Sequence, residues 1–305
     1  METAMKAIVL NEYGDYSHLK LAEIPEPKPV AGEIEVKVAA ASLNPIDWKL
    51  RSGDYKTFMP IEFPFVPGVD VSGQVVELGS GVTQFKIGDR VLGFVKRGYA
   101  EFVTAPVEAW AAIPTGMSLE DAAVIPLAAL TGAQLVEEAA NVQKDQRVLV
   151  TGAVGAVGRA AVYAAKSRGA RVIAGVRQRQ RAEAESLGAM TVVALDVDAE
   201  LAYLPMLDAV ADTVGGSTLV KVLGKVRNGG VIASTVGPPA GDKERGVVGK
   251  GMYTHVDSKR LAGLAEAVMA GKLKLPIAKR FPLAEAGSAQ RLAEAGGIGK
   301  VLLKV

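Results

Sequence analysis

The chain has 305 residues, 49% of them hydrophobic and 22% charged, a balance typical of a folded protein of about two domains. Its 35 basic residues barely exceed its 33 acidic ones, which argues against a nucleic-acid-binding protein, because such proteins need a clustered basic surplus. With no cysteine and only two histidines, the chain cannot form disulfides, a cysteine-ligated zinc site or a three-histidine metal site of its own.

The first 120 residues are predicted to form a β-rich, barrel-like domain. Short runs in which apolar and charged residues alternate are separated by turn residues, as expected for half-buried strands. The predicted strands are residues 6–10, 33–39, 69–77, 90–94 and 99–104. Between the first two, residues 24–30 carry three prolines at alternate positions, which predicts an extended connector.

The pattern changes after Ser118, where a capping-box-like start precedes apolar helical segments to about residue 141. Predicted strands then alternate with predicted helices. The strands are residues 147–151, 170–176, 190–195, 209–214 and 231–236, and the clearest helices are residues 159–168 and 181–186. This alternation predicts a parallel sheet with helices on both faces.

The last 50 residues are predicted to hold helices at 258–270 and 283–293, a connector around Pro276, and a terminal strand at 299–305, in which Lys300 and Lys304 flank an apolar run. Residues 1–14 lack the pattern of a secretory signal. The most apolar stretch, 122–135, is expected to be too short for a bilayer and to be broken by Pro126. We therefore expect a cytoplasmic protein without a membrane or nucleic-acid partner.

The sharpest local signal is the glycine-rich segment 148–158, where a buried strand meets closely spaced glycines and then a helix. It fits the dinucleotide-binding fingerprint, with alanine in place of the first glycine and one additional glycine. The alternative is that these glycines only allow the helix to pack closely on the strand. Because both flanking elements are present, the pattern favours pyrophosphate binding. The expected cofactor contacts are Gly152, Ala153, Gly155, Ala156, Val157 and Gly158.

The residue after the next predicted strand selects between the two dinucleotides. An acidic residue there would bind the ribose 2′-hydroxyl of NAD, but this chain has Arg177, followed by Arg179 and Arg181. Guanidinium groups suit a 2′-phosphate, so we predict NADPH as the cofactor, with Arg177 and Arg181 at the phosphate. The alternative is a solvated surface patch.

Motifs along nearly the whole chain resemble those of the zinc-free quinone oxidoreductases of the medium-chain dehydrogenase/reductase superfamily, which include enone and alkenal reductases. Besides the glycine loop, they lie at residues 41–47, 51–53, 67–73, 82–91, 99–101, 125–131, 187–189, 212–216 and 299–301. The resemblance implies an α/β fold with a GroES-like catalytic domain, 1–120 and 257–305, and a doubly wound Rossmann domain, 121–256. It also implies that the C-terminus returns to the catalytic domain, that the nicotinamide lies in a cleft between the domains, and that the protein is a homodimer.

Zinc-dependent relatives place a cysteine ligand where this chain has Leu43-Asn44 and a histidine ligand where it has Val69-Asp70. The four-cysteine structural lobe is also missing. Alcohol oxidation depends on a Lewis acid. The resemblance therefore implies metal-free hydride delivery to a quinone or an α,β-unsaturated carbonyl compound.

Three residues match family positions near the substrate, and each has a structural alternative. Asn44 would donate its amide to the substrate or is only a turn residue. Lys49 would lie near the substrate carbonyl or is a surface charge, and Tyr55 would line the cleft or packs in its loop. Thr131 matches a contact of the nicotinamide carboxamide, and Val236 and Gly237 are also assigned to the cofactor. Asp47 and Asp70 are expected to be structural, bonding nearby backbone N–H groups.

Two other functions compete with this hypothesis. A short-chain reductase would need Tyr-x-x-x-Lys after the glycine loop, but the match from Tyr16 to Lys20 precedes it. A non-enzymatic NADPH-binding protein with a sensing or structural role would keep the fold and the cofactor but show no turnover.

Overall fold

The computed structural model describes residues 3–297 and 299–305, which fall into two compact units. The first runs to Leu127 and adds Val256–Gly271 and Leu275–Val305. The second is Ala128–His255 with Lys272–Lys274. The first unit therefore extends beyond residue 120, because the backbone N–H of Leu127 is held by a carboxylate of that unit, Asp70 (2.7 Å).

The first unit is built on a seven-stranded sheet and a separate two-stranded sheet. Its strands are β1 Ala4–Val9, β2 Lys20–Pro25, β3 Glu33–Ser42, β4 Asp70–Leu78, β5 Arg90–Phe94, β6 Phe102–Pro106, β7 Trp110–Ala112, β14 Ile277–Pro282 and β15 Lys300–Lys304. Its helices are α1 Pro45–Ser52, α7 Ser258–Met269 and α8 Ala286–Ala295. The large sheet has the order β14-β15-β3-β4-β5-β7, with β6 also paired to β3, and β1 pairs with β2 in the small sheet.

The C-terminal strand confirms the expected return of the chain. In β15, Leu302 and Leu303 pair antiparallel with Ser42 and Ala41 at the end of β3. Both leucines are fully buried, as expected for an apolar run inside a sheet. Lys300, one of the two lysines that flank this apolar run, is itself buried at the start of β15.

The second unit is a parallel sheet of six strands in the order β10-β9-β8-β11-β12-β13, the doubly wound order. The strands are β8 Arg147–Thr151, β9 Arg171–Val176, β10 Thr191–Ala194, β11 Leu207–Asp212, β12 Val226–Ser234 and β13 Val248–Gly251. The helices are α2 Pro126–Gln134, which begins in the first unit, α3 Ala156–Ser167, α4 Arg181–Glu185, α5 Asp198–Ala202 and α6 Gly216–Leu223. The predicted fold class is therefore confirmed.

The apolar stretch around residue 130 is longer than expected. Residues Asp121–Ala139 form one helical run of 19 residues, long and apolar enough to cross a membrane by length and composition. Pro126 does not break it, because this proline is the first residue of α2, where no backbone N–H is required. However, 78% of the apolar stretch is buried inside the protein, which is typical of a core helix and makes its length weak support for a membrane span.

Candidate functional site

The glycine loop links β8 to α3 in a tight turn that leaves little room for side chains. Gly152 adopts a left-handed backbone, with φ of +61°. The N–H of Gly155 donates to the oxygen of Gly152 (2.9 Å). A Cβ atom at Gly158 would lie 2.1 Å from that same oxygen, so only glycine lets α3 approach the loop this closely. The glycines thus allow a tight turn and close packing of α3 on the loop, and their contact with a pyrophosphate stays a prediction.

Among the described residues, the first N–H groups of α3 have no backbone partner at this loop. The first backbone bond across the helix start runs from Arg159 N to Gly155 O (2.8 Å), so the N–H groups of Ala156, Val157 and Gly158 precede it. Free N–H groups and the positive end of the helix dipole together favour an anion. These residues and the cramped loop fit the pyrophosphate of a dinucleotide.

A buried carboxylate that was not among the predicted site residues forms hydrogen bonds with the ends of two neighbouring strands. Asp212, at the end of β11, accepts hydrogen bonds from the hydroxyls of Thr151 (2.6 Å) and Ser234 (2.6 Å), on the strands to either side. It also accepts from the N–H of Gly215 (3.1 Å). Because the carboxyl ends of parallel strands bind ligands in this fold, Asp212 holds the edge of the expected cofactor site. The run Asp-Thr-Val-Gly-Gly at 212–216 was the available sequence signal.

The other predicted cofactor residues of this unit are Val236 and Gly237 after β12, Thr131 within α2, and Ala153 after β8. Val236 and Gly237 follow β12, and 53% of Val236 is exposed. In α2, the hydroxyl of Thr131 lies 2.6 Å from that of Thr254. Ala153 donates its N–H to Gly175 O on β9 (3.1 Å). Their roles toward a nicotinamide cofactor stay predictions.

The three arginines after β9 do not share one environment. Arg177 and Arg179 are exposed, so both can reach a ligand. The guanidinium of Arg181 instead pairs with the Glu200 carboxylate and donates to Val192 O (3.2 Å). The expected phosphate contact of Arg181 is therefore not supported, because its charge is already neutralised by Glu200.

In the first unit, the structure brings two of the predicted catalytic residues together. The Nζ of Lys49, on α1, donates to the hydroxyl of Tyr55 (2.9 Å) and lies 5.0 Å from the centre of its ring. Both side chains are half-buried. The ring of Phe58 packs against Tyr55 with its centre 4.5 Å away, and 55% of Phe58 is exposed. An ammonium, a phenol and an accessible aromatic ring thus lie side by side.

Asn44 lies at the start of α1, and its side-chain amide is hydrogen-bonded within the chain. Its amide nitrogen donates to the carboxylate of Asp70 (2.8 Å) and to Ser42 O (3.3 Å), and its amide oxygen accepts from Lys300 (2.7 Å). Only 3% of the residue is exposed. Both amide hydrogens are therefore used within the chain, and donation of this amide to a substrate stays a prediction.

The two aspartates next to Asn44 are structural, as expected. Asp47 accepts from Asn44 N (2.8 Å) and from the hydroxyl of Tyr99 (2.9 Å), and Asp70 accepts from Leu127 N. Burial raises the pKa of Asp47 to about 7, although both hydrogen bonds oppose this shift. Burial also raises the pKa of Tyr99 well above its ordinary value.

The donors in this region do not fit a metal ion. Around Asp70 lie the backbone N–H of Leu127, an amide, a hydroxyl and the ammonium of Lys300, whose Nζ is 3.7 Å from the carboxylate. A cation already belonging to the chain repels a second one. Among residues 3–297 and 299–305, no three histidine, cysteine or acidic side chains cluster closely enough to hold a metal.

Two family models match the chain. The alcohol dehydrogenase GroES-like domain matches residues 30–116, which lie in the first unit. The zinc-binding dehydrogenase model matches residues 187–303, across the second unit and the returning C-terminal segment.

Individual relatives point to the same family. The chloroplast envelope quinone oxidoreductase homolog of Arabidopsis thaliana is 38% identical over 199 residues, a match that covers 62% of this chain and 60% of that protein's length. Among solved structures, the quinone oxidoreductase from Coxiella burnetii superposes with a TM-score of 0.88 at 32% identity, covering 99% of this chain and 100% of the other. An NAD-dependent alcohol dehydrogenase superposes with a TM-score of 0.88 at 30% identity, covering 99% and 100%. This chain therefore belongs to the quinone oxidoreductases of the medium-chain dehydrogenase/reductase superfamily.

Proposed function

We propose that this protein is an NADPH-dependent oxidoreductase that reduces a quinone or an α,β-unsaturated carbonyl compound without zinc. The observation that carries the proposal is the glycine loop, where Gly158 permits close approach and the start of α3 presents free N–H groups. The similarity of the chain to quinone oxidoreductases supports the same reaction class. When bound, the nicotinamide supplies the hydride, and the residues of the chain position and polarise the acceptor.

The preference for NADPH rests on Arg177 and Arg179. Both are exposed directly after β9, in the place where the fold meets the ribose. The first residue after this strand is Arg177 rather than an acidic residue, and the nearby carboxylate of Asp196 accepts from the backbone N–H of Gln178 (2.8 Å). Guanidinium groups bind phosphate through paired, charge-assisted hydrogen bonds.

The carbonyl-facing donors are Lys49 and Tyr55. Reduction of a conjugated carbonyl places negative charge on its oxygen, and a fixed cation nearby stabilises that charge in a site poor in water. The hydrogen bond from Lys49 to Tyr55 fixes the ammonium and the phenol side by side. The hydroxyl hydrogen of Tyr55 is then free to be donated to the carbonyl oxygen of the acceptor. The exposed ring of Phe58 beside them suits a flat, unsaturated acceptor.

Zinc independence is supported by the donor set around Asp70, where the ammonium of Lys300 takes the place of a metal's charge. The proposal needs no Lewis acid, because a quinone or enone is already electrophilic at the carbon that accepts the hydride. An alcohol is not electrophilic and requires a strong base or a metal to lose its proton.

The decisive experiment follows the absorbance of NADPH with 1,4-benzoquinone, 9,10-phenanthrenequinone and a small enone, with NADH in parallel. We expect NADPH oxidation with at least one quinone, and faster turnover than with NADH. If the protein binds NADPH tightly but reduces none of these acceptors, the proposed activity is wrong and a non-enzymatic NADPH-binding role is favoured instead.

A further inference from the structure

A buried ammonium lies next to the start of α1, contributed by the distant end of the chain. The side chain of Lys300, on β15, is only 7% exposed. Its Nζ donates to the backbone oxygen of Leu43 (2.9 Å) and to the amide oxygen of Asn44 (2.7 Å), and it lies 3.7 Å from Asp70 Oδ2. Three oxygens thus surround one ammonium: one from the residue after β3, one from the cap residue of α1 and one from β4.

The hydrogen bonds around Asp70 show which partner is charged. This carboxyl group accepts from the hydroxyl of Ser42 (2.9 Å), from the amide of Asn44 (2.8 Å) and from Leu127 N (2.7 Å). A group that receives only donors is a carboxylate, and Lys300 is its counter-charge. Burial raises the pKa of Asp70 and lowers that of Lys300, while their mutual attraction opposes both shifts.

This cluster determines where α1 begins. Asn44 is the cap residue of α1, and its side chain is held on one side by Lys300 and on the other by Asp70. Its backbone N–H is held by Asp47 within the first turn. Lys49 follows little more than one turn later on the same helix. Any displacement of the helix start therefore displaces the Lys49 ammonium.

Stability alone does not explain a buried ion pair at this position. Replacing such a pair by neutral side chains of similar volume is often neutral or stabilising, because two charges no longer lose their hydration. An ammonium next to a helix start also opposes the helix dipole. The orientation that Lys300 imposes on Asn44 is therefore a better reason for this lysine than its contribution to folding.

We propose that Lys300 is a positioning residue, whose ammonium fixes the amide of Asn44 and thereby sets the start of α1 and the position of Lys49. Its kinetic consequence rests on the proposed function, whereas its effect on α1 does not. We expect loss of this ammonium to lower kcat about tenfold to a hundredfold, as a small misplacement of a reacting group does, and to leave KM for NADPH nearly unchanged.

The first test is Lys300→Ala with added propylammonium, which matches the atoms removed beyond Cβ. We expect a lower unfolding temperature and a lower kcat, both partly restored by propylammonium and not by n-propanol, which has a similar size but no charge. Lys304→Ala is the matched control, because this lysine lies on the same strand with an exposed side chain, and its ammonium pairs with Glu120 (3.1 Å) in the same unit. The control should respond to neither additive. Equal recovery of Lys300→Ala with n-propanol would overturn the proposal.

The second test is Lys300→Met combined with Asp70→Asn, which removes both charges and guards against misfolding of the single variant. We expect the unfolding temperature to stay within about 4 °C of wild type while kcat stays at least about tenfold lower. In ¹³C-methylated protein, the Lys49 signal, assigned with Lys49→Arg, should move toward that of a free lysine. A wild-type kcat together with an unmoved Lys49 signal contradicts the proposal. If wild type itself reduces no acceptor, the proposed activity fails, and the Lys49 signal still decides the role of Lys300.

Discussion

The side chains of Lys49 and Tyr55 are joined by a hydrogen bond, and substitutions can separate their contributions. An enone needs help at its carbonyl oxygen more than a quinone does, because a quinone is the stronger electrophile. We expect Lys49→Ala to lower kcat with enones by about tenfold to a thousandfold, and less with quinones, as expected for the loss of one transition-state donor. Tyr55→Phe should have the smaller effect.

The measurement is steady-state kinetics with one enone and one quinone, beside a thermal melt to show that the variants fold. An enone kcat for Lys49→Ala within about twofold of wild type would make Lys49 a surface residue. The donor would then have to be sought elsewhere. Asn44 is a weak substitute, because Asp70 and Ser42 O already occupy its amide hydrogens.

Arg177 offers the residue-level test of cofactor choice. One charge-assisted phosphate contact is worth about 1.5–3 kcal/mol, which predicts roughly tenfold to hundredfold discrimination. Arg177→Ala should raise KM for NADPH and leave that for NADH nearly unchanged. Arg171→Ala is the matched control, because this exposed arginine stands at the other end of β9. Equal use of NADPH and NADH by wild type would contradict the preference.

Glu35 predicts a pH dependence of stability. It is 2% exposed, its Oε1 has no hydrogen-bond partner among the described residues, and Oε2 lies 3.6 Å from Lys28 Nζ. Burial raises its pKa from 4.5 to about 7. The folded state therefore keeps a proton that the unfolded chain has released, so this contribution to stability is present below pH 4.5 and is lost as the pH rises to about 7.

Glu35→Gln should abolish this loss. Relative to wild type, its free energy of unfolding should rise by roughly 2–3 kcal/mol between pH 4.5 and 8, measured by urea denaturation. Glu77→Gln is the control, because Glu77 also contacts Lys28 (3.0 Å) but its side chain is 49% exposed. A difference between Glu35→Gln and wild type that does not change with pH would show that Glu35 is ionised in both states.

At the scale of elements, a glycine-to-alanine substitution at the junction of β8 and α3 can be compared with the same substitution on α7. A Cβ at Gly158 would meet backbone atoms, Gly152 O at 2.1 Å and Ala153 Cα at 2.8 Å, so the loop must shift. We expect Gly158→Ala to cost about 1–3 kcal/mol and to weaken NADPH binding at least about tenfold. Gly263→Ala on α7, with nothing within 4 Å, should instead stabilise by about 0.5–1 kcal/mol.

Thermal melts and a fluorescence titration with NADPH measure both effects. Wild-type NADPH affinity in Gly158→Ala would show that the close approach of α3 to the loop is not needed for the pyrophosphate. Comparing Gly158→Ala with Gly263→Ala separates the general effect of an added methyl group from the effect of placing it against the glycine loop.

Strands with a buried apolar pattern could be predicted from the sequence, but the exposed strands β2 and β14 could not. The bounds of β5 and β8 coincide with the predicted segments, because their apolar runs end at turn residues. By contrast, β2 has no fully buried residue and β14 has only one. The predicted proline-containing connectors overlap only the end of β2, at residues 24–25, and take the place of β14 after Pro276. Edge strands carry exposed and proline residues by nature, which removes the signal that identifies a strand.

At the scale of the whole molecule, the proposal of zinc independence predicts the metal content. Elemental analysis of the purified protein after chelation should find no stoichiometric zinc, and quinone reduction should survive EDTA. The physical reason is that the ammonium of Lys300 already supplies positive charge beside Asp70. Activity that disappears with EDTA and returns only with added zinc would refute this.

The sequence by itself determined the alternation of strands and helices, the glycine loop and the lack of cysteine ligands, because each depends on residues near one another in the chain or on composition. The tertiary structure alone decided the environment of single polar groups. Lys300 meets Asn44 across 256 positions, and Arg181 is neutralised by Glu200, 19 positions away. The sequence around a charged residue does not reveal whether its side chain is solvated or buried against a partner. Only folding determines which hydrogen bonds it makes, and thereby whether it binds a ligand or holds another residue in place.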